Sequence, residues 1–330
     1  MAEVVIFAPS PVLEVTIEDH PDGADVHLHA GGQGVWQARM LRSLHRSVAL
    51  CCVLSGEAGR VLSHALEHEG IEVVSLTRES RGGVHIHDRR GGERRVIVEH
   101  GGDALTRHEL DELYGITLRQ GLDARLVLLS GPAGNGLVPA DHYRRLAADL
   151  RTGGARVAVD LAGERLDASL AGGVEVAKVS DEELLADGRI RERSAEEIVP
   201  AMHRLHEEGA EKVVITRAHE PILMLEDGMV QRVTGPVLEV VDSAGAGDSF
   251  VGALAARLAD GGSFVEAVVL GAAAGALNVT RHGLGTGDPE TIERLRRLVT
   301  VERLADEDPA ATPAREVSPE QLAAQLEREG

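Results

Sequence analysis

The sequence predicts an α/β fold with a mainly parallel central sheet, helices on both of its faces, and a smaller β-sheet beside it. Apolar runs of strand length alternate with helical segments along most of the 330 residues, which is typical of parallel sheets joined by right-handed crossovers. Two hairpins break this pattern, because their strands alternate strictly between apolar and polar residues. Such strands do not suit a sheet that is covered on both faces, so we assign them to a separate sheet.

The first half of the chain supplies both hairpins and five strands of the main sheet. The first hairpin joins 13–18 to 25–29 through Pro21-Asp22-Gly23, and the second joins 84–88 to 94–98 around Gly91-Gly92. The hydrophobic periodicity predicts the other elements: strands at 4–8, 47–54, 71–76, 125–129 and 156–160, and helices at 35–44, 57–69, from 106 onward, and at 140–151.

The second half continues the alternation and ends in a change of composition. A strand at 213–216 and a β-type run at 237–241 precede two closely packed helices, rich in Ala and Gly, within 251–281. After about residue 300 the sequence turns to Asp-Glu-Asp-Pro and Thr-Pro, which indicates a linker, and a capping pattern at 318–321 indicates a short helix. We predict one large domain over residues 1–300 and an appendage at 301–330.

Charge and composition exclude several classes of partner. The formal net charge of -20 argues against nucleic acid and anionic membrane surfaces, and an aromatic content of 2% leaves few side chains to stack on bases. Cys51 and Cys52 are adjacent and cannot form an unstrained disulfide, which favours reduced thiols. The sequence has no apolar run of transmembrane length and no signal-peptide pattern. We expect a soluble, cytoplasmic protein.

The glycine-rich turn before the first Ala-rich helix predicts an anion site. Gly245, Ala246 and Gly247 place backbone N–H groups at a helix N-terminus, where the helix dipole also favours negative charge. Asp248 follows directly, although an anion repels a carboxylate. We interpret Asp248 as a base that takes a proton from a hydroxyl attacking phosphorus, while the amides hold the developing charge. The alternative is that Asp248 only caps the helix.

Two motifs resemble the signatures of the ribokinase-like, or PfkB-type, carbohydrate kinases. The stretch 242–250, Asp-Ser-Ala-Gly-Ala-Gly-Asp-Ser-Phe, is similar to D-T-x-G-A-G-D-[ST]-F, and 30–41 is similar to G-G-K-G-x-N-x-A-R-x-L. Their order and separation make the resemblance far more specific than either motif alone. It is closest to the branch of 1-phosphofructokinase and tagatose-6-phosphate kinase, whose opening N-P-A-x-D corresponds to residues 10–14, Ser-Pro-Val-Leu-Glu. The resemblance implies a three-layer αβα kinase domain over 1–300. It also implies a β-sheet lid, with strands in about 12–30 and 83–99, that closes on the sugar and mediates a homodimer.

The resemblance also implies residues for ATP and Mg²⁺. Lys178, Ser180 and Glu183 match K-P-N-x-x-E-L with Ser in place of Asn, so Glu183 is a candidate, indirect metal residue. Ser180 and Glu183 equally fit a helix capping box. Thr216 and Arg217 lie where relatives carry a glycine loop along the triphosphate, but Ala218 and Pro221 replace both glycines. Asn278 corresponds to an adenine contact, with a plain helix-surface residue as the alternative.

The acceptor side departs further from the family pattern. Glu14 stands at the sugar-binding Asp, with Gly31 and Gly32 beside it in the motif. Gln33 replaces the motif Lys and removes a positive charge, while Trp36 replaces an Asn and could either stack on a sugar or pack in the core. Arg81 lies where relatives hold the acceptor phosphate. The chain has only two lysines, Lys178 and Lys212, so such arginines matter.

The lid strands carry four histidines that share faces in pairs, His27 with His29 and His85 with His87. One hypothesis is that these imidazoles help to neutralise an acceptor phosphate and so make substrate affinity depend on pH. The alternative is a solvated polar face.

These observations rank an ATP-dependent sugar-phosphate kinase first, a transferase of the 1-phosphofructokinase kind acting on a sugar or sugar phosphate. A kinase of an unphosphorylated sugar or a nucleoside is second, because of Gln33 and Trp36. A regulatory relative with weakened turnover is the third, because of the altered loops. The retained Asp248 argues against loss of turnover, since losing a general base costs about 10² to 10⁴ in rate.

Overall fold

The computed structural model describes residues 2–92, 94–134, 137–280 and 285–304. Within them the strands are β1 Val4–Phe7, β2 Val12–His20, β3 Gly23–Gly31, β4 Val48–Ser55, β5 Glu72–Arg78, β6 Gly83–Asp88, β7 Arg95–His100, β8 Leu126–Ser130, β9 Val157–Asp160, β10 Val174–Ser180, β11 Ala210–Arg217, β12 Glu220–Glu226, β13 Met229–Thr234 and β14 Thr300–Arg303. The helices are α1 Gln33–Ser43, α2 Gly56–His68, α3 Arg107–Leu122, α4 Ala140–Thr152, α5 Gly163–Gly172, α6 Asp181–Ala186, α7 Ala195–Glu207, α8 Ala246–Ala259, α9 Phe264–Asn278 and α10 Pro289–Arg296.

The main sheet confirms the predicted α/β class. Its ten strands run in the order β14-β13-β12-β11-β10-β9-β8-β1-β4-β5. The seven strands from β11 to β5 are parallel, and β12, β13 and β14 extend the β11 edge in antiparallel fashion. Parallel strands that are apolar on both faces need helices on both faces, and the chain supplies them.

Two apolar layers cover the two faces of the sheet. Strand β1 shows this within four residues, because Val5 and Phe7 pack with α3, α4, α5 and α7, whereas Val4 and Ile6 pack with α1, α2, α8 and α9. The packing of α8 against α1 is close enough that Gly252 has no room for a side chain. A Cβ there would lie 2.7 Å from the Gln37 carbonyl oxygen. This contact sets the start of α1 beside the start of α8.

The smaller sheet is the predicted lid, with the order β3-β2-β6-β7. The hairpins β2–β3 and β6–β7 are antiparallel, and β2 and β6 join them in parallel. The face that carries Glu14, Thr16 and His87 is the more buried one, whereas Val26 and Leu28 on the opposite face are 55% and 59% exposed. The lid therefore turns its polar face toward the domain body.

Two sequence predictions need correction or completion. The run 237–241 is not a strand of either sheet: Val237, Val240 and Val241 are exposed, and the Val241 amide donates to the Val279 carbonyl. The position beside β13 is taken by β14 and not by this run. The predicted boundary at residue 300 falls on the first residue of β14, and the linker and helix predicted at 305–330 lie outside the described residues.

Among the helices that the structure describes, none combines the length and apolar character that crossing a membrane requires.

We expect Gly252→Ala to lower the free energy of unfolding by about 1–3 kcal/mol, because the added methyl group would push α1 away from α8. Chemical denaturation measures the change. Gly115→Ala in α3 is the matched control: a Cβ there meets only the end of the Arg119 side chain, at 3.4 Å. That substitution should stabilise by up to about 1 kcal/mol through helix propensity. Equal effects at both positions would contradict the packing argument.

Candidate active site

The N-terminus of α8 keeps the predicted open backbone donors. Gly245 caps the helix in the left-handed region, with φ 74°, and no side chain caps the helix. Among the described residues, the N–H groups of Gly245 and Gly247 have no acceptor, while the Ala246 N–H is 3.4 Å from the Ser243 carbonyl oxygen. Two of the three predicted amides are thus available to an anion, and the third is held only weakly.

Lys178 on β10 brings a positive charge to the same place. A Cβ on Gly247 would lie 3.4 Å from Lys178 Nζ, so the absence of a side chain lets the ammonium group approach the helix start. Lys178 Nζ also donates to Asp160 Oδ1 at 2.9 Å, and both side chains are buried. Burial acts to lower the Lys178 pKa, but the carboxylates of Asp160 and Glu183 offset it and leave the pKa raised. Lys178 is therefore a charged anchor beside the open amides.

Asp160, at the end of β9, is held by three donors. Its Oδ1 accepts from Lys178, and its Oδ2 accepts from Gln33 Nε2 at 2.8 Å and from Gln37 Nε2 at 2.9 Å. Gln33 Oε1 in turn accepts from the Gly131 amide at 2.7 Å. The Gln33 side chain is thus fully hydrogen-bonded in holding Asp160. It supplies no free group in place of the Lys that the motif has at this position.

Asp248 lies next to this cluster, with Oδ1 3.5 Å from Gln37 Nε2. Burial and the negative charge of Asp160 raise the pKa of Asp248 to about 8, although Lys178 acts in the opposite direction. Its first-turn position does not make it a cap, since the cap residue is Gly245. A carboxylate with a raised pKa beside anion-binding amides suits proton transfer.

The cluster depends on where parallel strands end. Strands β8, β9 and β10 are neighbours, with Ser130 in register with Asp160, and Lys178 also in register with Asp160. Carboxyl ends of parallel strands form the usual ligand-binding edge of such sheets. Sequence reasoning missed Asp160, Gln37 and Ser130. A polar residue that ends an apolar strand, as in Val157-Ala158-Val159-Asp160, is the signal that could have revealed Asp160.

Asn278 does not have the role expected of it. Its side chain is completely buried: Nδ2 donates to the Ala244 carbonyl at 2.7 Å, and Oδ1 accepts from Ser249 Oγ at 2.9 Å and from the Gly285 amide at 3.3 Å. A fully buried amide cannot contact an adenine ring. Asn278 instead ties the end of α9 to the glycine turn and to the first turn of α8.

The predicted nucleotide residues separate into two groups. Ser180 and Thr216 lie side by side at the ends of β10 and β11. Arg217 points to the opposite face, where it is buried, and its guanidinium donates to the carbonyls of Arg193 and Pro221. Arg217 therefore does not share the face of Thr216, and the structure does not support the position along the triphosphate that the resemblance implies for it. Ala218 keeps a positive φ of 38°, so this turn retains a left-handed position without its glycine.

Ser180 and Glu183 form the capping box that the sequence allowed. Glu183 Oε2 accepts from the Ser180 amide and from Ser180 Oγ, both at 2.7 Å, and the Glu183 amide donates to Ser180 Oγ. Within the described residues there is no group of three or more His, Cys, Asp or Glu side chains that could hold a metal ion.

Glu14 and Gly31 meet on the polar face of the lid. A Cβ on Gly31 would lie 2.5 Å from Glu14 Cδ, so glycine leaves the space that the carboxylate fills. Burial raises the pKa of Glu14, against the opposing charges of Arg94, Arg39 and Arg89. Gly32 has a φ of 99° and caps α1, and this positive φ explains why the position is a glycine.

Arg81 and Trp36 do not take clear positions at the acceptor side. Arg81 is mostly exposed and pairs with Asp103 at 2.9 Å at the base of the lid, and it is not among the charges that act on Glu14. The charges that act on Glu14 are those of Arg94, Arg39 and Arg89, and Arg89 also reaches Asp242 in the glycine turn at 3.0 Å. Trp36 is half-buried, and among described residues its Nε1 has no hydrogen-bond partner.

The four lid histidines share the polar face. The register places His29, Glu14, His85 and Glu99 in one row across the four strands. Burial lowers the pKa of His29, His85 and His87. Neutral imidazoles are thus favoured near neutral pH, which does not support the hypothesis that their positive charge neutralises a phosphate.

The chain is similar to known carbohydrate kinases. Residues 3–291 match the pfkB family carbohydrate kinases. It is 29% identical over 295 residues to ATP-dependent 6-phosphofructokinase isozyme 2 of Escherichia coli, covering 86% of this chain and 94% of that protein. It is 31% identical over 266 residues to 1-phosphofructokinase of Haloferax volcanii, covering 77% and 84%. The crystal structure of phosphofructokinase-2 from Escherichia coli in complex with potassium has a TM-score of 0.78, at 25% identity over 90% of this chain and 99% of that one.

Proposed function

The chain belongs to the pfkB family of carbohydrate kinases, and from that premise we propose that it transfers the γ-phosphoryl group of ATP to a hydroxyl of a phosphorylated sugar. Enzymes of this family are phosphotransferases that act on a sugar hydroxyl with ATP as the phosphate donor. Relatives that carry the names of 6-phosphofructokinase and 1-phosphofructokinase favour a sugar phosphate as the acceptor.

The observation that carries the proposal is the convergence of three groups at the start of α8. Open amides of Gly245 and Gly247, the Lys178 ammonium group and the Asp248 carboxylate all meet within this turn. The amides and the ammonium group stabilise charge on a phosphoryl group in transfer, and the carboxylate accepts the proton of the attacking hydroxyl. A purely structural helix start has no need of a buried carboxylate beside a buried cation.

The other site residues surround this centre. Glu14 on the polar face of the lid accepts hydrogen bonds from sugar hydroxyls, and the positive charges of Arg94, Arg39 and Arg89, which act on Glu14, are available to an acceptor phosphate. Ser180 and Thr216 line the nucleotide side. Glu183 would help indirectly to hold Mg²⁺, and the bound ion would supply charge neutralisation of the phosphates.

We expect ADP release with Mg-ATP and at least one phosphohexose, and a fall in kcat of about 10²–10⁴ in Asp248→Asn because the general base is lost. The panel of acceptors consists of fructose 1-phosphate, fructose 6-phosphate, tagatose 6-phosphate, free hexoses and nucleosides.

Asp260→Asn is the matched control: it removes the same charge at the other end of α8, where Asp260 pairs with Arg46. Turnover only with free hexoses or nucleosides would show that the acceptor is not a phosphorylated sugar. ATP binding without any turnover would favour a regulatory protein.

The raised pKa of Asp248 predicts that kcat increases with pH. A general base works as the carboxylate, and this form is present only above the Asp248 pKa, which burial and Asp160 raise to about 8. The pH range in which kcat rises should therefore lie far above the ordinary Asp pKa of about 3.9. Lys178→Met should move this rise in kcat to higher pH, because the charge of Lys178 acts to lower the Asp248 pKa. A kcat that is constant from about pH 5.5 upward would contradict this assignment.

We further propose that a second copy of the chain covers the apolar face of the lid. The row Leu28, Val15, Ile86 and Val98 crosses all four lid strands, and Leu28 and Val98 are 59% and 43% exposed. A contiguous exposed apolar face of this kind is typical of an interaction surface.

Leu28→Asp should convert a dimer into a monomer in sedimentation experiments, because it introduces a charge into the covered apolar face. Leu122→Asp is the control, since Leu122 in α3 is also exposed, at 46%, but is remote from the lid. A wild-type protein that sediments as a monomer, or a dimer that survives Leu28→Asp, would show that the lid is not the interface.

A further inference from the structure

Gln37 is a completely buried amide in the second turn of α1. Its neighbours on the buried side of this helix are apolar, among them Val35, Ala38 and Leu41. A buried amide without partners costs free energy, so such a residue is retained only where it is hydrogen-bonded. The motif resemblance leaves this position unspecified, and the family assignment does not explain a polar residue here.

Both ends of the Gln37 side chain are engaged. Oε1 accepts from Ser130 Oγ at 2.5 Å, and Nε2 donates to Asp160 Oδ2 at 2.9 Å and lies 3.5 Å from Asp248 Oδ1. Carboxylates only accept hydrogen bonds, so the nitrogen must face the two acids and the oxygen must face Ser130. Ser130 is itself held at the end of β8, where its carbonyl accepts from Tyr143.

This arrangement restrains both acids of the site. Asp160 receives a third donor besides Gln33 and Lys178, which keeps its carboxylate on the lysine. Asp248 is faced by Asp160 from β9, by Lys178 from β10 and by Glu183 from α6. The Gln37 amide faces Oδ1 of Asp248 at 3.5 Å, and the carboxyl also accepts from the backbone N–H of Asp248 itself, so two donors restrict its orientation.

We propose that Gln37 is a positioning residue for phosphoryl transfer: its amide, oriented by the Ser130 hydroxyl, fixes Asp160 on Lys178 and sets the direction in which Asp248 presents its reactive oxygen. This inference rests on the proposed role of Asp248 as the base. It assigns a task to two residues, Gln37 and Ser130, that neither motif specifies.

The test compares Gln37→Leu with the double variant Gln37→Leu/Ser130→Ala. Gln37→Leu leaves Ser130 Oγ without its partner, so some loss of stability is expected; replacing both partners by apolar groups removes that penalty. We expect kcat to fall about tenfold to a hundredfold in both variants, with the KM for ATP nearly unchanged, because the base is misdirected and the nucleotide site is intact. Ser169→Ala, which removes a buried hydroxyl in α5, is the control and should keep the wild-type kcat.

Recovery of kcat together with stability in the double variant would show that Gln37 is only structural and would overturn the inference. A second measurement does not need turnover: ¹³C NMR titration of the Asp248 carboxyl, assigned by its absence in Asp248→Asn. Loss of the amide donor should move this titration to higher pH in Gln37→Leu, because the donor favours the carboxylate. An unchanged titration would overturn the inference, whereas a wild type without turnover on any acceptor would overturn only the proposed function.

Discussion

The buried ion pair of Lys178 and Asp160 is the interaction on which the site depends. Removing two charges from water is costly, and a pair of this kind persists only when further hydrogen bonds satisfy both partners. Here Gln33 and Gln37 supply those bonds, and both lie on α1, which crosses the ends of β9 and β10. The same pair brings the ammonium group to Gly247, so the charge that an anion needs is held by the fold before any ligand arrives.

A second set of contacts holds the backbone donors. The Ala244 carbonyl and Ser249 Oγ are bonded to Asn278, and the Val241 and Asp242 amides both donate to the Val279 carbonyl. The end of α9 thus supports the glycine turn from two sides. This support leaves the Gly245 and Gly247 amides oriented outward, since their own chain offers them no acceptor among the described residues. Preorganised donors of this kind stabilise charge without reorganisation during the reaction.

Much of this could be predicted from the sequence, and the failures have physical reasons. Asp248 and its turn are local in sequence, so spacing alone reveals them. Gln37, Ser130 and Asp160 come together only through strand register and helix packing, which a linear pattern does not contain. Asn278 was assigned by position in a motif, but its environment is set by how tightly α9 packs on the turn. The apolar run at 237–241 has strand propensity, but β14 takes the position beside β13 and the end of α9 binds the Val241 amide instead.

The lid turns the part of its polar face that carries Glu14 and His87 inward, and much of its apolar face is outside. Opening the lid therefore hydrates carboxylates, imidazoles and the Arg89–Asp242 ion pair, and exposes little apolar surface. Such a movement carries almost none of the heat-capacity increment that accompanies unfolding. Its equilibrium responds instead to ionic strength, since dissolved ions screen the charges that hold the sheet down.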